Sequence, residues 1–313
     1  MSTTPWEKDE RAWRKVPQFT VANSSVLDEI GQFKYTGYNT ELEYEVKDYP
    51  DMSKYVIVKS ISNKLTFRIN HYEDLWILNQ IHDVVKSSGW TVTVIIPNLI
   101  DAQADRRFAI DQPHGLKLVC EFLNSLSNFR YKIYHPHNPE VVEALIDSVE
   151  IIDNSEFIEK ALKQIDKETL QIQGKLILMS SDAGGFKPLM KMCDKINWQG
   201  ETYSASKSRK YEEGHSKLIQ NIDRPDFGGK DILIVDDICV FGGTFKGLSK
   251  LLKQKNCGKL YLAVSHLTVN DLGNDPVTNY FDKVFTTNSK FDSDRYMSWD
   301  HDIHKQLVVI DLF

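Results

Sequence analysis

Residues 232–244 read Ile232-Leu233-Ile234-Val235-Asp236-Asp237-Ile238-Cys239-Val240-Phe241-Gly242-Gly243-Thr244. Four consecutive branched apolar residues have the composition of a strand buried on both faces of a parallel sheet. Two adjacent carboxylates follow, at the strand end where open α/β sheets place their ligands. Such a pair accepts hydrogen bonds from a vicinal diol, for example the 2- and 3-hydroxyls of a ribose. Gly242 and Gly243 let the backbone approach an anion, and Thr244 is placed to cap a helix whose free N–H groups face phosphate. With Val240 and Phe241 between them, these residues make a candidate ribose-phosphate site. A strand ending in a polar turn accounts for the glycines and Thr244, but not for two acids in succession.

The same alternation of apolar run and amphipathic stretch extends in both directions, as in βαβ units. Upstream, the spacing predicts a helix over 74–85 ended by Gly89, a strand over 91–96 stopped by Pro97, a helix over 114–127 and a strand over 131–134. A helix-strand pair follows near 141–152. The second half repeats the plan: helix 155–165, strand 175–179, helix 187–194, strand 231–235, helix 244–254 and strand 260–264. A charged stretch, 204–214, interrupts it and reads as a flexible hydrophilic loop. The first fifty residues are less regular. The simplest account is an α/β protein of two similar units with parallel sheets flanked by helices, 1–150 and 151–304. The last apolar run, 307–312, adds a strand to one sheet; which one is open, so 305–313 is left available to the first unit.

A chain of 313 residues, 41% hydrophobic and 11% aromatic, has the length and composition of a globular enzyme. A formal net charge of −6 argues against non-specific nucleic-acid binding, which depends on Lys and Arg neutralising phosphates. Cys120, Cys193, Cys239 and Cys257 are widely spaced and lack metal-ligand spacing, so they read as free thiols of a reducing cytoplasm. No apolar stretch approaches the length of a membrane span, and the first fifteen residues are polar and charged.

On residues 232–244 the chain resembles the type I phosphoribosyltransferase superfamily, and other segments narrow the resemblance to ribose-phosphate diphosphokinases, the phosphoribosyl-diphosphate synthetases. Ile95-Ile96-Pro97 followed by Asp105, Arg106 and Arg107 is similar to that family's strand and ATP-contacting loop, which implies that Asp105, Arg106 and, at a loop position where the family differs, Gln103 lie on the ATP side. Tyr134-His135-Pro136-His137 stands where the family has Asp-Leu-His, which implies His137 as a residue at the ATP-associated metal. Ser180-Ser181-Asp182-Ala183-Gly184-Gly185 resembles Ser-Pro-Asp-x-Gly-Gly, implying Asp182 at the metal site. Ser206-Lys207-Ser208-Arg209 falls where a mobile loop carries a catalytic Lys-x-Arg, implying Lys207 and Arg209. The matches run in family order over roughly 75–290. Physically, few protein ligands suit Mg²⁺ shared with phosphate oxygens, and cationic side chains suit diphosphoryl transfer. No Walker-type phosphate loop is present.

The resemblance implies an Mg²⁺-dependent enzyme that moves the diphosphate of ATP to the anomeric hydroxyl of a ribose 5-phosphate unit, releasing AMP, in a cytoplasmic homo-oligomer. Departures bear on the acceptor. The family loop reads Asp-Asp-x-x-Asp-Thr-Gly-Gly-Thr, whereas Val240 and Phe241 replace the third Asp and first Thr. Gln103 and Ala104 replace an Arg-Gln, His135 replaces the Asp before the metal histidine, and a Phe-Ser-Asp-Gly-Glu segment is not found. Less polar grip on a terminal phosphate, beside an aromatic ring, suits a 5-phosphate that continues into a diester. The chain is similar in this to phage-encoded relatives that use ADP-ribose, making ADP-ribose 1-diphosphate for NAD⁺ rebuilding; the cytoplasm would then be a host's. Ribose 5-phosphate is the alternative acceptor. A phosphoribosyltransferase and a non-catalytic regulatory relative are the competing classes, against which stand the duplicated plan and the retained His137, Asp182, Lys207, Arg209, Asp236 and Asp237.

Overall fold

The structure, a computed structural model, describes residues 41–107, 109–166, 174–212, 215–268, 275–291 and 305–313. The polar N-terminal stretch read above lies outside them. The first described elements are β1 (Glu43–Asp48) and β2 (Lys54–Ser60), an antiparallel ribbon that the sequence pattern did not reveal. A four-stranded parallel sheet follows in the order β3 (Lys64–Thr66), β4 (Val92–Ile96), β5 (Phe129–Tyr134), β6 (Val149–Ile152). Its crossovers are α1 (Tyr72–Ser88), α2 (Gly115–Ser125) and α3 (Pro139–Leu145). Asp74 stabilises the start of α1 by accepting from the N–H groups of Asn70 and His71, both at 2.8 Å. Gly89 ends that helix in the left-handed region at φ 73°, where a side chain would be strained.

In the second half α4 (Ser155–Ile165) leads to β7 (Leu176–Ser180), α5 (Phe186–Lys195) and β8 (Thr202–Ser204). Next come β9 (Ser206–Glu212), β10 (His215–Asn221), β11 (Asp231–Cys239), α6 (Gly243–Gln254), β12 (Leu260–Leu267), a 3₁₀ turn at Val277–Tyr280, β13 (Lys283–Thr287) and β14 (Leu307–Ile310). Six of these strands form a parallel sheet in the order β14-β13-β12-β11-β7-β8. The final strand therefore belongs to this second sheet, paired with β13 from Val284 opposite Leu307 to Thr287 opposite Ile310. Among the described residues no helix is long and apolar enough to cross a membrane.

The continuous apolar run of β11 is explained by helices on both faces. Ile232 and Ile234 pack with Phe245, Leu248 and Leu252 of α6, whereas Leu233 and Val235 pack with Phe157, Ile158, Leu189 and Met192 of α4 and α5. Each side chain buried in this way contributes about 1.5–3 kcal/mol.

The charged stretch expected as a flexible loop is corrected by the structure. Residues 206–212 are strand β9, paired antiparallel with β10 alone, with Lys207 opposite Gln220 and Arg209 opposite Leu218. Residues 213 and 214 lie outside the described set. A two-stranded ribbon apart from the main sheet lacks the hydrophobic alternation that marks a half-buried strand, so periodicity could not report it.

A polar seam joins the two sheets. Arg68 donates through Nε and Nη2 to the Asn288 carbonyl at 3.0 and 2.8 Å, and the Asn70 amide donates to the Lys290 carbonyl at 2.9 Å. Tyr134, fully buried, reaches Ser265 Oγ at 3.3 Å, and His135 Nδ1 lies 2.7 Å from the same hydroxyl. His266 Nε2 lies 3.0 Å from the His135 carbonyl, to which the neutral ring donates.

Burial pushes the His266 imidazole down to about 4, and that of His135 below its ordinary range. Both therefore stay neutral when folded at pH values where the unfolded chain already binds protons. A depressed folded value contributes stability present above the unfolded value of about 6.5, which is lost as pH falls toward the folded one. The melting temperature should therefore drop between about pH 7 and pH 5. His266→Gln should flatten that drop; an unchanged pH slope in the variant would remove the seam from the account of acid sensitivity.

Candidate active site

Strand lengths create the site. β11 pairs with β7 only as far as Val235 opposite Ser180, yet continues along β12 to Cys239 opposite Leu267. Asp236 and Asp237 overhang the shorter neighbour and open onto a cleft of about 760 Å³. Asp236 accepts from the Ser181 hydroxyl and, at 2.9 Å, from the Asp237 N–H. Asp237 Oδ2 lies 2.6 Å from His137 Nδ1, linking the second sheet to the loop after β5.

These contacts divide the pair. Burial, reinforced by the Asp237 charge, raises the Asp236 carboxyl well above the carboxylate range. Burial acts on Asp237 in the same direction, but hydrogen bonds from His137 and Asp236 outweigh it and hold this group low. The Asp237 hydrogen bond in turn raises His137. The side chain of Asp237 is 15% exposed and that of His137 43%, so the imidazole meets the cleft while its partner is enclosed.

The phosphate-type loop follows at once. Gly242 adopts φ 72°, and a Cβ there would lie 2.9 Å from the Val277 Cβ, so both backbone and space require glycine. Gly242 is the N-cap of α6, and Thr244 sits inside the helix. The cap assigned to Thr244 from sequence is thus corrected: the N-cap lies two residues earlier, at Gly242. Gly243, Thr244 and Val240 line the cleft, and Phe241 stands at its edge with 87% of its surface exposed.

Across the cleft, Asp182 Oδ2 pairs with Lys207 Nζ at 2.6 Å and Oδ1 accepts from the Gly185 N–H at 3.1 Å. Burial opposes ionisation of Asp182, but Lys207 and the turn amides hold its carboxyl below the usual range. Arg209 is placed two residues further along β9. The ribbon is tied to α6 by Gln220 Nε2, which donates to the Thr244 carbonyl at 2.9 Å. A Cβ at Gly247 would lie 2.3 Å from Gln220 Oε1, so that glycine gives the amide its place.

Gln103 lines this cleft and a second one of about 380 Å³ on the other side of the His137–Asp237 pair. Asp105 accepts from the Asn138 amide at 2.8 Å, which ties the 101–107 loop beside His137; Arg106 is exposed on that loop. Sequence reasoning missed Ser181, Asn138 and Gln220 as supports. Only Asn138 carried a legible signal, an Asn before a helix-starting proline, and its side chain does accept from Val141 N.

His137 and Asp182 do not meet as a ready-made metal site, each being engaged with a different partner. Among the described residues no three of His, Cys, Asp and Glu converge to hold a metal. Adjacent, enclosed carboxylates with His137 and Asp182 on the same cleft nonetheless fit a cation that takes most ligands from phosphate and water, as Mg²⁺ does.

Residues 148–295 match the phosphoribosyl transferase domain family. The chain is 24% identical over 233 residues to the ribose-phosphate pyrophosphokinase of Saccharolobus solfataricus, covering 72% of this chain and 77% of that protein. It is 23% identical over 258 residues to the enzyme of the same name from Sulfurisphaera tokodaii, covering 79% and 84%. Among solved structures, the phosphoribosylpyrophosphate synthetase of Mycobacterium smegmatis superposes with a TM-score of 0.65 at 16% identity, covering 86% of each chain.

The loop geometry yields a stability test. Gly242→Ala should cost about 1–3 kcal/mol in denaturant unfolding, from left-handed strain and the Val277 clash. Gly243→Ala, whose Cβ meets nothing within 4 Å, should cost less than about 1 kcal/mol. Equal losses would show that the Gly242 conformation is not a constraint.

Proposed function

We propose, for a chain that belongs to the ribose-phosphate pyrophosphokinase family, that the cleft over β11 transfers the diphosphate of ATP to the anomeric oxygen of an ADP-ribose acceptor. The protein is a diphosphotransferase of the type that joins the diphosphate of ATP to a ribose 5-phosphate unit. The observation that carries the reading is the juxtaposition in one cleft of the Asp236-Asp237 overhang, the glycine loop at the start of α6, and the Asp182–Lys207 pair.

In the proposed reaction the acceptor's ribose diol lies on the carboxylate pair and its 5-phosphate on the N–H groups around Gly242, Gly243 and Thr244. The anomeric oxygen bonds to the β-phosphorus, the bond from that phosphorus to the α,β-bridging oxygen breaks, and AMP leaves with the bridging oxygen. The anomeric proton passes to solvent. Gln103, Asp105, Arg106 and His137 form the ATP side. Lys207 and Arg209 neutralise charge that builds on the transferred phosphates, Lys207 exchanging its contact with Asp182 for phosphate oxygens. His137, through its second ring nitrogen, and the released Asp182 would hold Mg²⁺, which when bound supplies further charge neutralisation. A cytoplasmic homo-oligomer, with residues 1–150 on the ATP side and 151–304 on the acceptor side, completes the proposal.

Phe241 favours ADP-ribose over ribose 5-phosphate. A ring with 87% of its surface exposed at the rim of a phosphate site is costly in water unless a ligand covers it. An acceptor whose 5-phosphate continues to an adenosine supplies such a cover, and its product suits nicotinamide attachment in rebuilding NAD⁺. Ribose 5-phosphate is the second reading, favoured by the name shared by the curated relatives.

Lys207→Ala should lower kcat by about 10²-fold or more, the scale of one lost preorganised donor. A rise in KM alone would assign Lys207 to binding. Measured as AMP release, kcat/KM should be higher for ADP-ribose than for ribose 5-phosphate, and the Val240→Asp, Phe241→Thr double variant should reverse the preference. A wild type that turns over ribose 5-phosphate and ignores ADP-ribose returns the protein to the simpler acceptor.

A further inference from the structure

Asn154 stands just before α4, where an Asn side chain ordinarily caps the helix. Here it does not. The carboxylate of Asp153 takes that duty, accepting from the Ser155 N–H at 2.8 Å, and Asn154 supplies only its carbonyl, to Ile158 N at 3.0 Å. Its carboxamide makes no hydrogen bond among the described residues although Asn154 is only 5% exposed. Its amide atoms therefore meet the cleft rather than another protein group, which leaves their hydrogen bonds to solvent or a ligand. Asn154 lines the large cleft, on the opposite side of the sheet from α6 and its glycine loop.

Asn154 shares that cleft with charged residues and with less polar ones. His135, Pro139, Pro188 and Met192 also line it, and their rings and thioether offer flat or adaptable apolar surface. His135 holds a left-handed φ of 36°, unusual for a side-chain-bearing residue, while Nδ1 is fastened to Ser265. Its second ring nitrogen makes no hydrogen bond among the described residues. An apolar slot containing one enclosed carboxamide is the chemistry that reads a nucleobase edge. A carboxamide offers one donor and one acceptor side by side, matching the N7 acceptor and N6 donor of adenine but not the two acceptors of guanine.

We propose that Asn154, in the slot between His135, Pro139, Pro188 and Met192, recognises the adenine ring of a substrate. The inference deepens the diphosphate-transfer reading and rests on it for the ligand class. Adenine reaches the protein from two sources, the ATP donor and an ADP-ribose acceptor, and the same carboxamide chemistry serves either.

The test uses Asn154→Ala and the isosteric Asn154→Asp on the full chain, with thermal melts confirming folding; Asn154→Asp carries the test if the alanine variant does not fold. AMP binding measured by calorimetry should weaken by about ten-fold or more in the variants, the scale of a lost bidentate base contact. If the donor's adenine occupies the slot, KM for ATP rises and the preference for ATP over GTP shrinks by a similar factor, with KM for ribose 5-phosphate unchanged. If the acceptor's adenine occupies it, in place of the cover at Phe241 proposed above, KM for ADP-ribose rises while the ATP and ribose 5-phosphate values hold. Unchanged AMP affinity together with an unchanged ATP-to-GTP ratio and unchanged acceptor KM values overturns the assignment. A wild type that binds AMP through Asn154 but releases none from ATP with either acceptor would instead overturn the reaction proposed above and leave the slot standing.

Discussion

The contact between Asp237 and His137, 2.6 Å across the divide between the two sheets, is the one on which the rest of the site depends. A parallel strand buried on both faces has delivered two adjacent carboxylates to a place with little water, where both cannot stay ionised without help. Asp237 obtains that help from the imidazole after β5, and Asp236 from the Ser181 hydroxyl. The result is one carboxylate held ionised and one held toward neutrality, side by side. A sugar diol and a cation are both chemically suited to such a pair.

That contact lies where it does because the two sheets are joined by hydrogen bonds rather than by a shared apolar core. The two large clusters of buried side chains on β11 and the one around β4 are separate, and the groups that bridge them include Arg68, Asn70, Tyr134, His135, Ser265 and His266, with Tyr134 also meeting the Phe313 ring edge-on. Hydrogen bonds are directional, so such a seam sets orientation as well as adhesion. It brings the loop after β5 over the end of β11 and leaves a cleft on either side of His137. The left-handed backbone of His135 sits at the middle of this junction.

The ribbon of β9 and β10 supplies the moving cations of the proposed reaction from an unexpected platform. A strand pair has fewer internal degrees of freedom than an irregular loop, so closing it over phosphates orders less chain. Its root is held by Gln220 against α6, the helix that begins with the glycine loop. Lys207 is meanwhile paired with Asp182, so two charged groups of the cleft offset one another.

Much of the fold was legible because local chemistry decided it. The run 232–235, the glycine at 89 and the periodic helices at 155–165 and 244–254 each combine burial pattern with a start or stop signal; the two helices agree to within a residue, while the strand runs four residues beyond its expected end, to Cys239, and so carries both aspartates. Asp236, Asp237 and the glycines after them were legible for the same reason: consecutive residues on one strand and turn remain neighbours in any fold. The polar strand β9 and the early ribbon were not, since strands without alternating apolar faces leave no periodic trace. Partner identity was also beyond the sequence. That His137 meets Asp237, that Asp182 meets Lys207, and that Asn154 is enclosed without a hydrogen-bond partner among the described residues depend on contacts between segments 25 to 100 residues apart. Sequence order determined which groups could do chemistry here; only the packing of two sheets along a polar seam decided which of them face one another, because that packing sets distances that no local pattern encodes.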